Sequence, residues 1–220
     1  MKYKAILFDL DGTIINTEQF WKEATLQLMN KNPNACPIIK KELSEKLIGC
    51  ALPESCKLIK HSLELSESIE ELILEKETRA LNLYKNQIMY LNGFENFFKQ
   101  VIDRGLKTAI ATNSTLKTLN VANQEAQLQK FFGEHMYSMA LVNKPKPNPD
   151  IFLYAANKLE IDPSECLVIE DSITGVAAAK AANMFCIRIL PHQHTERESL
   201  ADITVGEYNE IDLHKILTQK

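Results

Sequence analysis

The chain has 220 residues, of which 45% are hydrophobic and 25% charged, and its formal net charge is −4. These values are typical of a globular protein with one sizeable core and room for a small inserted domain. The net negative charge speaks against nucleic-acid binding, because nucleic-acid-binding proteins usually have an excess of basic residues. No apolar run approaches the length of a membrane span.

The N-terminus and the cysteines indicate a reducing compartment. The opening residues, MKYKAILF, enter an apolar run directly and do not resemble a signal peptide. The five cysteines are odd in number and lack Cys-x-x-Cys spacing, so we expect neither a disulfide framework nor a zinc site. The sequence therefore predicts a cytoplasmic protein, and we expect a monomer or weak dimer.

Six short runs rich in β-branched and other apolar residues are predicted to be strands. They lie at residues 3–8, 106–111, 136–141, 166–169, 185–190 and 202–205. From the second run onward, the connections include helix-compatible stretches, at residues 114–132, 148–159 and 174–183. This βαβ alternation predicts an α/β fold with a doubly wound, mainly parallel, Rossmann-like sheet.

One interval departs from this alternation. Residues 17–86 contain no convincing strand, only long amphipathic stretches with leucines and charges at helical spacing. They predict an inserted helical domain, with residues 1–16 and 87–220 forming the α/β core. Because the insert leaves the core just after the first strand and returns just before a helix at 93–105, we expect it to act as a lid over that strand's end.

Polar residues follow several of the predicted strands at the point where each strand ends. The first strand is followed by Asp9 and Asp11, and the residues after the second and fourth strands are Thr112, Asn113, Ser114, Glu170, Asp171 and Ser172. A proline-stiffened loop after the third strand carries Lys146. Ligands of open parallel sheets bind beyond the carboxyl ends of the strands. Four loops therefore present acids, hydroxyls and an amine to one edge.

This mixture of groups suits phosphoryl transfer. Clustered carboxylates are tolerable around a divalent cation, and Mg²⁺ favours a few carboxylates, waters and a phosphate oxygen. Lys146 and Thr112 would meet the rest of that phosphate, with the backbone N–H of Asn113 holding a further oxygen. Asp9 is then placed to attack phosphorus as a covalent nucleophile, and Asp11 to protonate the leaving oxygen and later deprotonate water.

Four stretches carry a resemblance to a known family, namely FDLDGT (8–13), ATNS (111–114), KPKPNPD (144–150) and VIEDSITG (168–175). They resemble the four ordered motifs of the haloacid dehalogenase-like hydrolase superfamily, and the helical insert resembles its cap. The resemblance implies that Asp9 is the nucleophile and Asp11 the general acid/base, with Thr112 and Lys146 on the phosphate. It also implies Mg²⁺ held by Asp9, the Asp11 carbonyl and Asp171, with Glu170 acting through a metal-bound water.

Within this superfamily the sequence favours a phosphatase. Dehalogenases lack the second aspartate, Asp11, and phosphonate hydrolases use a cap lysine where this chain has Leu52. The β-phosphoglucomutases are similar in size and cap position but carry a cap histidine near Trp21 and a cap arginine near Leu52, and both are missing here. We expect hydrolysis of a small phosphorylated metabolite, such as a sugar or nucleoside phosphate, with a β-phosphoglucomutase-like isomerase as the alternative.

A non-catalytic phosphoacceptor switch is a further alternative, from a different class of protein. Response-regulator receivers share the doubly wound plan, an acidic Mg²⁺ pocket and a phosphorylated aspartate, and they act as switches. The helical insert and Asp11 speak against a receiver, because a receiver has no acid/base beside its phosphoacceptor and its acyl phosphate persists.

Phe20 and Trp21 of the insert either line a substrate pocket or pack in a core, and the sequence favours packing.

Overall fold

The structure is a computed structural model that describes residues 2–33, 36–47, 51–85, 87–190 and 200–218. Contacts divide the chain into two compact units. The first consists of Met1–Asn16 and Ile88–Lys220, and the second of Thr17–Gln87. Both connections between the units leave the first unit at one place, because the Asn16 N–H donates to the Met89 carbonyl (2.9 Å) and Ile15 forms an antiparallel bridge with Tyr90.

A parallel sheet of six described strands, in the order β3-β2-β1-β4-β5-β6, forms the centre of the first unit. The strands are β1 (Ala5–Phe8), β2 (Lys107–Thr112), β3 (Met136–Ser138), β4 (Cys166–Glu170), β5 (Phe185–Ile189) and β6 (Ile203–Val205). All six predicted strands are present, and the predicted α/β class is confirmed. Strand β1 is fully buried between β2 and β4, as a continuous apolar run predicts for a central parallel strand.

The described part of the second unit is helical. Its helices are α1 (Glu18–Met29), α2 (Pro37–Lys46), α3 (Leu52–Leu63) and α4 (Ile69–Tyr84). Helix α4 begins with a capping box, in which the Ser68 hydroxyl accepts from the Glu71 N–H and the Glu71 carboxylate accepts from the Ser68 N–H. Phe20 is buried and packs on Tyr84, whose hydroxyl accepts a hydrogen bond from the Trp21 indole at 2.9 Å. Both aromatic residues of α1 therefore contact α4 of the same unit.

The remaining helices belong to the first unit. They are α5 (Phe94–Asp103), α6 (Leu116–Ala126), α7 (Gln129–Phe132), α8 (Asp150–Leu159), α9 (Ile173–Ala181) and α10 (Leu213–Thr218). The single helix predicted over 114–132 is divided into α6 and α7, because Gln127 adopts the left-handed conformation (φ 52°). None of the helices in the described ranges is both long and apolar enough to cross a bilayer.

Candidate active site

The polar residues predicted to cluster do lie at the carboxyl edge of the sheet. Strands β1 and β4 continue their pairing one residue beyond β1, since the Asp9 N–H donates to the Ile169 carbonyl (2.9 Å). Glu170 is the last residue of β4, and Thr112 is the last residue of β2. The parallel register thus brings the ends of the three central strands side by side.

Lys146 lies between two buried carboxylates. Its ammonium Nζ is 2.6 Å from Asp9 Oδ1 and 2.7 Å from Glu170 Oε1, and the three side chains are 2%, 10% and 1% exposed. Burial raises the pKa of Asp9 to about 7, although the Lys146 charge acts in the opposite direction. Burial alone would lower the pKa of Lys146, but Asp9 and Glu170 outweigh it and raise this pKa above its usual value. The ammonium therefore stays charged at neutral pH.

Asp9, Glu170 and Asp171 form an acidic group that can hold a metal ion. One carboxylate oxygen from each lies within 4.8 Å of the other two. Burial, followed by the charges of Glu170 and Asp9, raises the pKa of Asp171 well above its usual value. Three carboxylates around one ammonium leave an excess of negative charge in a buried site, which a hard divalent cation with oxygen ligands would compensate. The donor set fits the Mg²⁺ that the sequence predicts.

Glu170 is held on both carboxylate oxygens. Oε1 accepts from Lys146, and Oε2 accepts from the N–H of Asp171 and from both the N–H and the hydroxyl of Ser172, at 2.8–2.9 Å. The start of α9 passes so close that a Cβ at Gly175 would lie 1.6 Å from Glu170 Oε1. Gly175 is therefore a site residue that the sequence analysis did not single out, although it belongs to the VIEDSITG stretch.

The turn after β1 faces the Asp171 carboxylate. Gly12 has φ +81°, and a Cβ there would lie 2.3 Å from Asp171 Oδ2. Both the backbone conformation and the lack of space for a side chain therefore require glycine. The Thr13 hydroxyl donates to Asp171 Oδ1 at 3.1 Å, and the Thr13 carbonyl accepts from the buried Tyr208 hydroxyl at 3.0 Å. Tyr208 is distant in sequence and carried no signal that could have assigned it to the site.

Thr112 and Asn113 lie as predicted beside the loop that carries Lys146. The buried Thr112 hydroxyl accepts from the Ser114 N–H at 3.0 Å and keeps its own proton for donation. The Asn113 side chain makes two hydrogen bonds to the Lys146 main chain, with Oδ1 accepting from N–H (2.9 Å) and Nδ2 donating to C=O (3.2 Å). The Asn113 amide thus fixes the Lys146 backbone, a contact that the sequence analysis did not foresee.

Asp11 and Arg188 complete the surroundings. Half-buried Asp11 accepts a hydrogen bond from the Ser114 hydroxyl at 2.5 Å on Oδ2. Arg188 of β5 is buried next to Glu170 in register, and its Nε donates to the Asp171 carbonyl at 2.7 Å. The sequence analysis overlooked this arginine, yet a charged residue within the apolar run FCIRIL was a visible signal.

Several known proteins are similar to this chain in sequence. The haloacid dehalogenase-like hydrolase profile matches residues 6–189. The bifunctional riboflavin kinase/FMN phosphatase of Arabidopsis thaliana is 32% identical over 217 residues, which are 96% of this chain and 55% of that protein. Hexitol phosphatase B of Escherichia coli is 27% identical over 217 residues, covering 97% of this chain and 96% of that protein.

A solved structure supports the fold. A family IA, variant 3 hydrolase from Entamoeba histolytica superposes with a TM-score of 0.85 at 24% identity, over 97% of each chain. The profile match runs from Ile6 in β1 to Ile189 at the end of β5 and includes all four motif stretches. The chain therefore belongs to the haloacid dehalogenase-like hydrolase family.

Proposed function

We propose that this protein is a Mg²⁺-dependent phosphatase that hydrolyses a small phosphomonoester through an aspartyl-phosphate on Asp9. The observation that carries the proposal is the position of Asp9 at the end of the central strand, 2.6 Å from the buried Lys146 ammonium and within 4.8 Å of Asp171 and Glu170 oxygens. Asp11, two residues further on, supplies the second carboxyl group that hydrolysis of an ester requires.

In the first step an Asp9 carboxylate oxygen attacks phosphorus and the bond from phosphorus to the ester oxygen breaks. Asp11 gives its proton to that oxygen, so the alcohol leaves neutral and Asp11 becomes a carboxylate. In the second step Asp11 takes a proton from water as the water oxygen attacks phosphorus. The Asp9–phosphorus bond breaks, inorganic phosphate leaves, and both aspartates return to their starting states.

Other residues bind and orient the phosphate. The Lys146 ammonium balances the charge of the phosphoryl oxygens, and the proton of the Thr112 hydroxyl and backbone N–H groups, including that of Asn113, donate to them. Asp9, Asp171 and the Asp11 carbonyl would hold Mg²⁺, with Glu170 contacting it through water because both of its oxygens already have protein partners. Bound Mg²⁺ would polarise the phosphoryl group and neutralise part of its charge.

The substrate class is a small phosphorylated metabolite, such as a sugar or nucleoside phosphate. Two relatives are named for phosphatase activity, one on hexitol phosphates and one on FMN. The chain spans only about half of the FMN phosphatase relative, so any likeness to that enzyme concerns only part of it. We assign substrate selection to the helical unit, Thr17–Gln87, as a cap, and place the enzyme in the cytoplasm.

The test is a phosphate-release assay with a generic aryl phosphate and a panel of sugar and nucleotide phosphates, with Mg²⁺ and with chelator. We expect release that depends on Mg²⁺ and is lost in Asp9→Asn. Activity that survives exhaustive chelation would exclude the metal role. Transfer of the phosphoryl group to a second hydroxyl of a sugar phosphate, without release, would instead indicate the mutase. A phosphorylated Asp9 that persists would indicate a switch.

A further inference from the structure

We propose that Ser114 is a positioning residue that fixes the orientation of the Asp11 carboxyl group, and that Ser138 anchors Ser114. This inference rests on the proposed function, since it assigns residues that act through the general acid/base. The Ser114 hydroxyl donates to Asp11 Oδ2 at 2.5 Å across 103 residues of sequence. A serine hydroxyl can donate to a carboxylate and accept from a protonated carboxyl group, so this contact orients Asp11 in both protonation states.

The main chain of Ser114 is fixed on both sides of its Cα. Its N–H donates to the Thr112 hydroxyl at 3.0 Å, and its C=O accepts from the Ser138 hydroxyl at 2.6 Å. With both peptide groups held, the hydroxyl direction depends on one side-chain torsion. Such a support is what a precisely placed acid/base needs, because a displacement of about 1 Å can cost roughly 10²-fold in rate.

Ser138 is the anchor of this arrangement because it is part of the sheet. It is the last residue of β3, pairs with Thr112 in the parallel register, and is fully buried. Its hydroxyl donates to Ser114 and also accepts from the Ala140 N–H at 3.2 Å. Two hydroxyls therefore connect the end of β3, through the loop after β2, to the Asp11 carboxylate in the loop after β1.

The role of Ser114 predicts a specific kinetic signature. In the first step the Asp11 proton passes to the ester oxygen as the bond from phosphorus to that oxygen breaks, and in the second step the Asp11 carboxylate accepts a proton from water. If the Asp11 carboxyl group is poorly oriented, cleavage of esters with poor leaving groups should slow most, because their leaving oxygen depends most on protonation. The groups proposed to bind phosphate and metal do not include the Ser114 hydroxyl, so phosphate affinity and the dependence on Mg²⁺ concentration should not change.

The experiment measures kcat and KM for a series of aryl and alkyl phosphates that differ in leaving-group pKa. We expect Ser114→Ala to lower kcat/KM, which reports the first step, by roughly 10- to 100-fold for the alkyl esters and less for the best aryl esters. Ser114→Thr, which keeps the hydroxyl, should restore kcat/KM. Ser138→Ala should give a smaller loss with the same trend. The matched control is Ser164→Ala, whose exposed hydroxyl donates only to Asp162 in a turn before β4 and should leave all constants unchanged.

A double-mutant cycle separates positioning from general structural damage. If Ser114 acts through Asp11, adding Ser114→Ala to Asp11→Asn should cause no further loss of kcat/KM, whereas a structural role predicts that the two losses multiply. Multiplying losses, or equal losses for all leaving groups, would overturn the inference. If Ser114→Ala does not fold, as judged by thermal unfolding, Ser114→Cys carries the same test with a weaker donor.

The two levels of the proposal fail in different ways. A wild-type protein that releases no phosphate and forms no phosphoenzyme with any ester would refute the proposed function. A wild-type protein that turns over normally, together with Ser114→Ala at wild-type kcat/KM across the whole series, would refute only the role of Ser114.

Discussion

Asp9 and Asp11 are two residues apart but have different surroundings. Asp9 is buried and paired with the Lys146 ammonium, whereas Asp11 is half-buried and accepts from the Ser114 hydroxyl. Since the two carboxyl groups differ in environment, the two amide substitutions should differ in effect. An amide at position 9 cannot form an acyl phosphate at a useful rate. Asp9→Asn should therefore abolish phosphoenzyme formation with every substrate.

Asp11→Asn should keep the nucleophile and slow both steps, by roughly 10² to 10⁴ for esters with poor leaving groups. An aryl phosphate needs little protonation in the first step, so this variant should accumulate phosphoenzyme that the wild type clears. Acid quenching followed by peptide mapping measures the phosphoenzyme and locates it. Phosphate found on Asp11, or normal turnover of Asp9→Asn, would show that the two roles are wrongly assigned.

A second prediction concerns Lys146, and a nearby exposed lysine serves as its control. Replacing Lys146 by alanine leaves Asp9 and Glu170 buried without their counter-charge and removes charge stabilisation of the phosphoryl group. We expect Lys146→Ala to lower kcat by about 10²-fold or more. We also expect it to reduce the free energy of unfolding by about 3 kcal/mol, as breaking a buried ion pair does. Lys144→Ala, an exposed lysine of the same loop, should change neither quantity. Equal effects of the two substitutions would contradict the assignment.

At the scale of secondary-structure elements, the Glu170 carboxylate lies against the first turn of α9. Alanine is normally a better helix residue than glycine by about 1 kcal/mol. Gly175→Ala should nevertheless destabilise the protein, because the added Cβ would lie 1.6 Å from Glu170 Oε1. Moving Glu170 should also weaken Mg²⁺ binding by roughly 10-fold or more, as loss of an outer-sphere partner does. Thermal unfolding and a Mg²⁺ titration measure both effects.

A control for this substitution comes from a second glycine. Gly105, unlike Gly175, has a positive φ of +71°, but a Cβ there would meet nothing within 4 Å. Gly105→Ala should therefore cost about 1 kcal/mol through backbone strain alone and leave the Mg²⁺ titration unchanged. A Gly175→Ala variant that is as stable as the wild type and binds Mg²⁺ normally would show that Glu170 can move at no cost.

The strands were predictable because burial on both faces leaves a continuous apolar run, as in AILF of β1. The predicted third strand, 136–141, was too long, since the Ser138 hydroxyl accepts from the Ala140 N–H and turns the chain after Ser138. The break between α6 and α7 could not be predicted. A left-handed residue that ends a helix is usually glycine or asparagine, but here it is Gln127.

The residues expected in the site were recognisable because they occur in short motifs at strand ends. Supporting residues were harder to find. Tyr208 reaches Thr13 across 195 residues, and the role of Gly175 depends on where the Glu170 carboxylate lies. Such contacts are set by tertiary packing, and a single sequence carries no local pattern for them.

The stability of the whole molecule should depend on pH and Mg²⁺ together. The pKa of Asp9 is raised to about 7 in the fold, from an ordinary value near 3.8. Between about pH 4 and pH 7 the folded protein therefore binds more protons than the unfolded chain, and its free energy of unfolding falls as the pH rises. Mg²⁺ binds the ionised carboxylates and offsets this loss. We expect Mg²⁺ to raise the melting temperature more at pH 8 than at pH 5.

The size of this effect follows from mass action. At a free Mg²⁺ concentration about 100 times Kd, the stabilisation is about 2.7 kcal/mol. Thermal unfolding with Mg²⁺ or with chelator at the two pH values gives the comparison, and Asp171→Asn should remove the Mg²⁺ effect at pH 8. An equal increase at both pH values would mean that the cation binds elsewhere.

The central position of β1 has a consequence for how the chain is synthesised. Strand β1 is made first, yet its partners β2 and β4 follow roughly 100 and 160 residues later. At a translation rate of about 5–20 residues per second, roughly 5 to 20 s pass between the synthesis of this apolar strand and that of β2. The helical unit, Thr17–Gln87, is contiguous and is translated during that interval. A nascent chain would thus contain the whole helical unit while it still exposes the strand that leads to Asp9, and it is at this stage that we expect aggregation or chaperone binding.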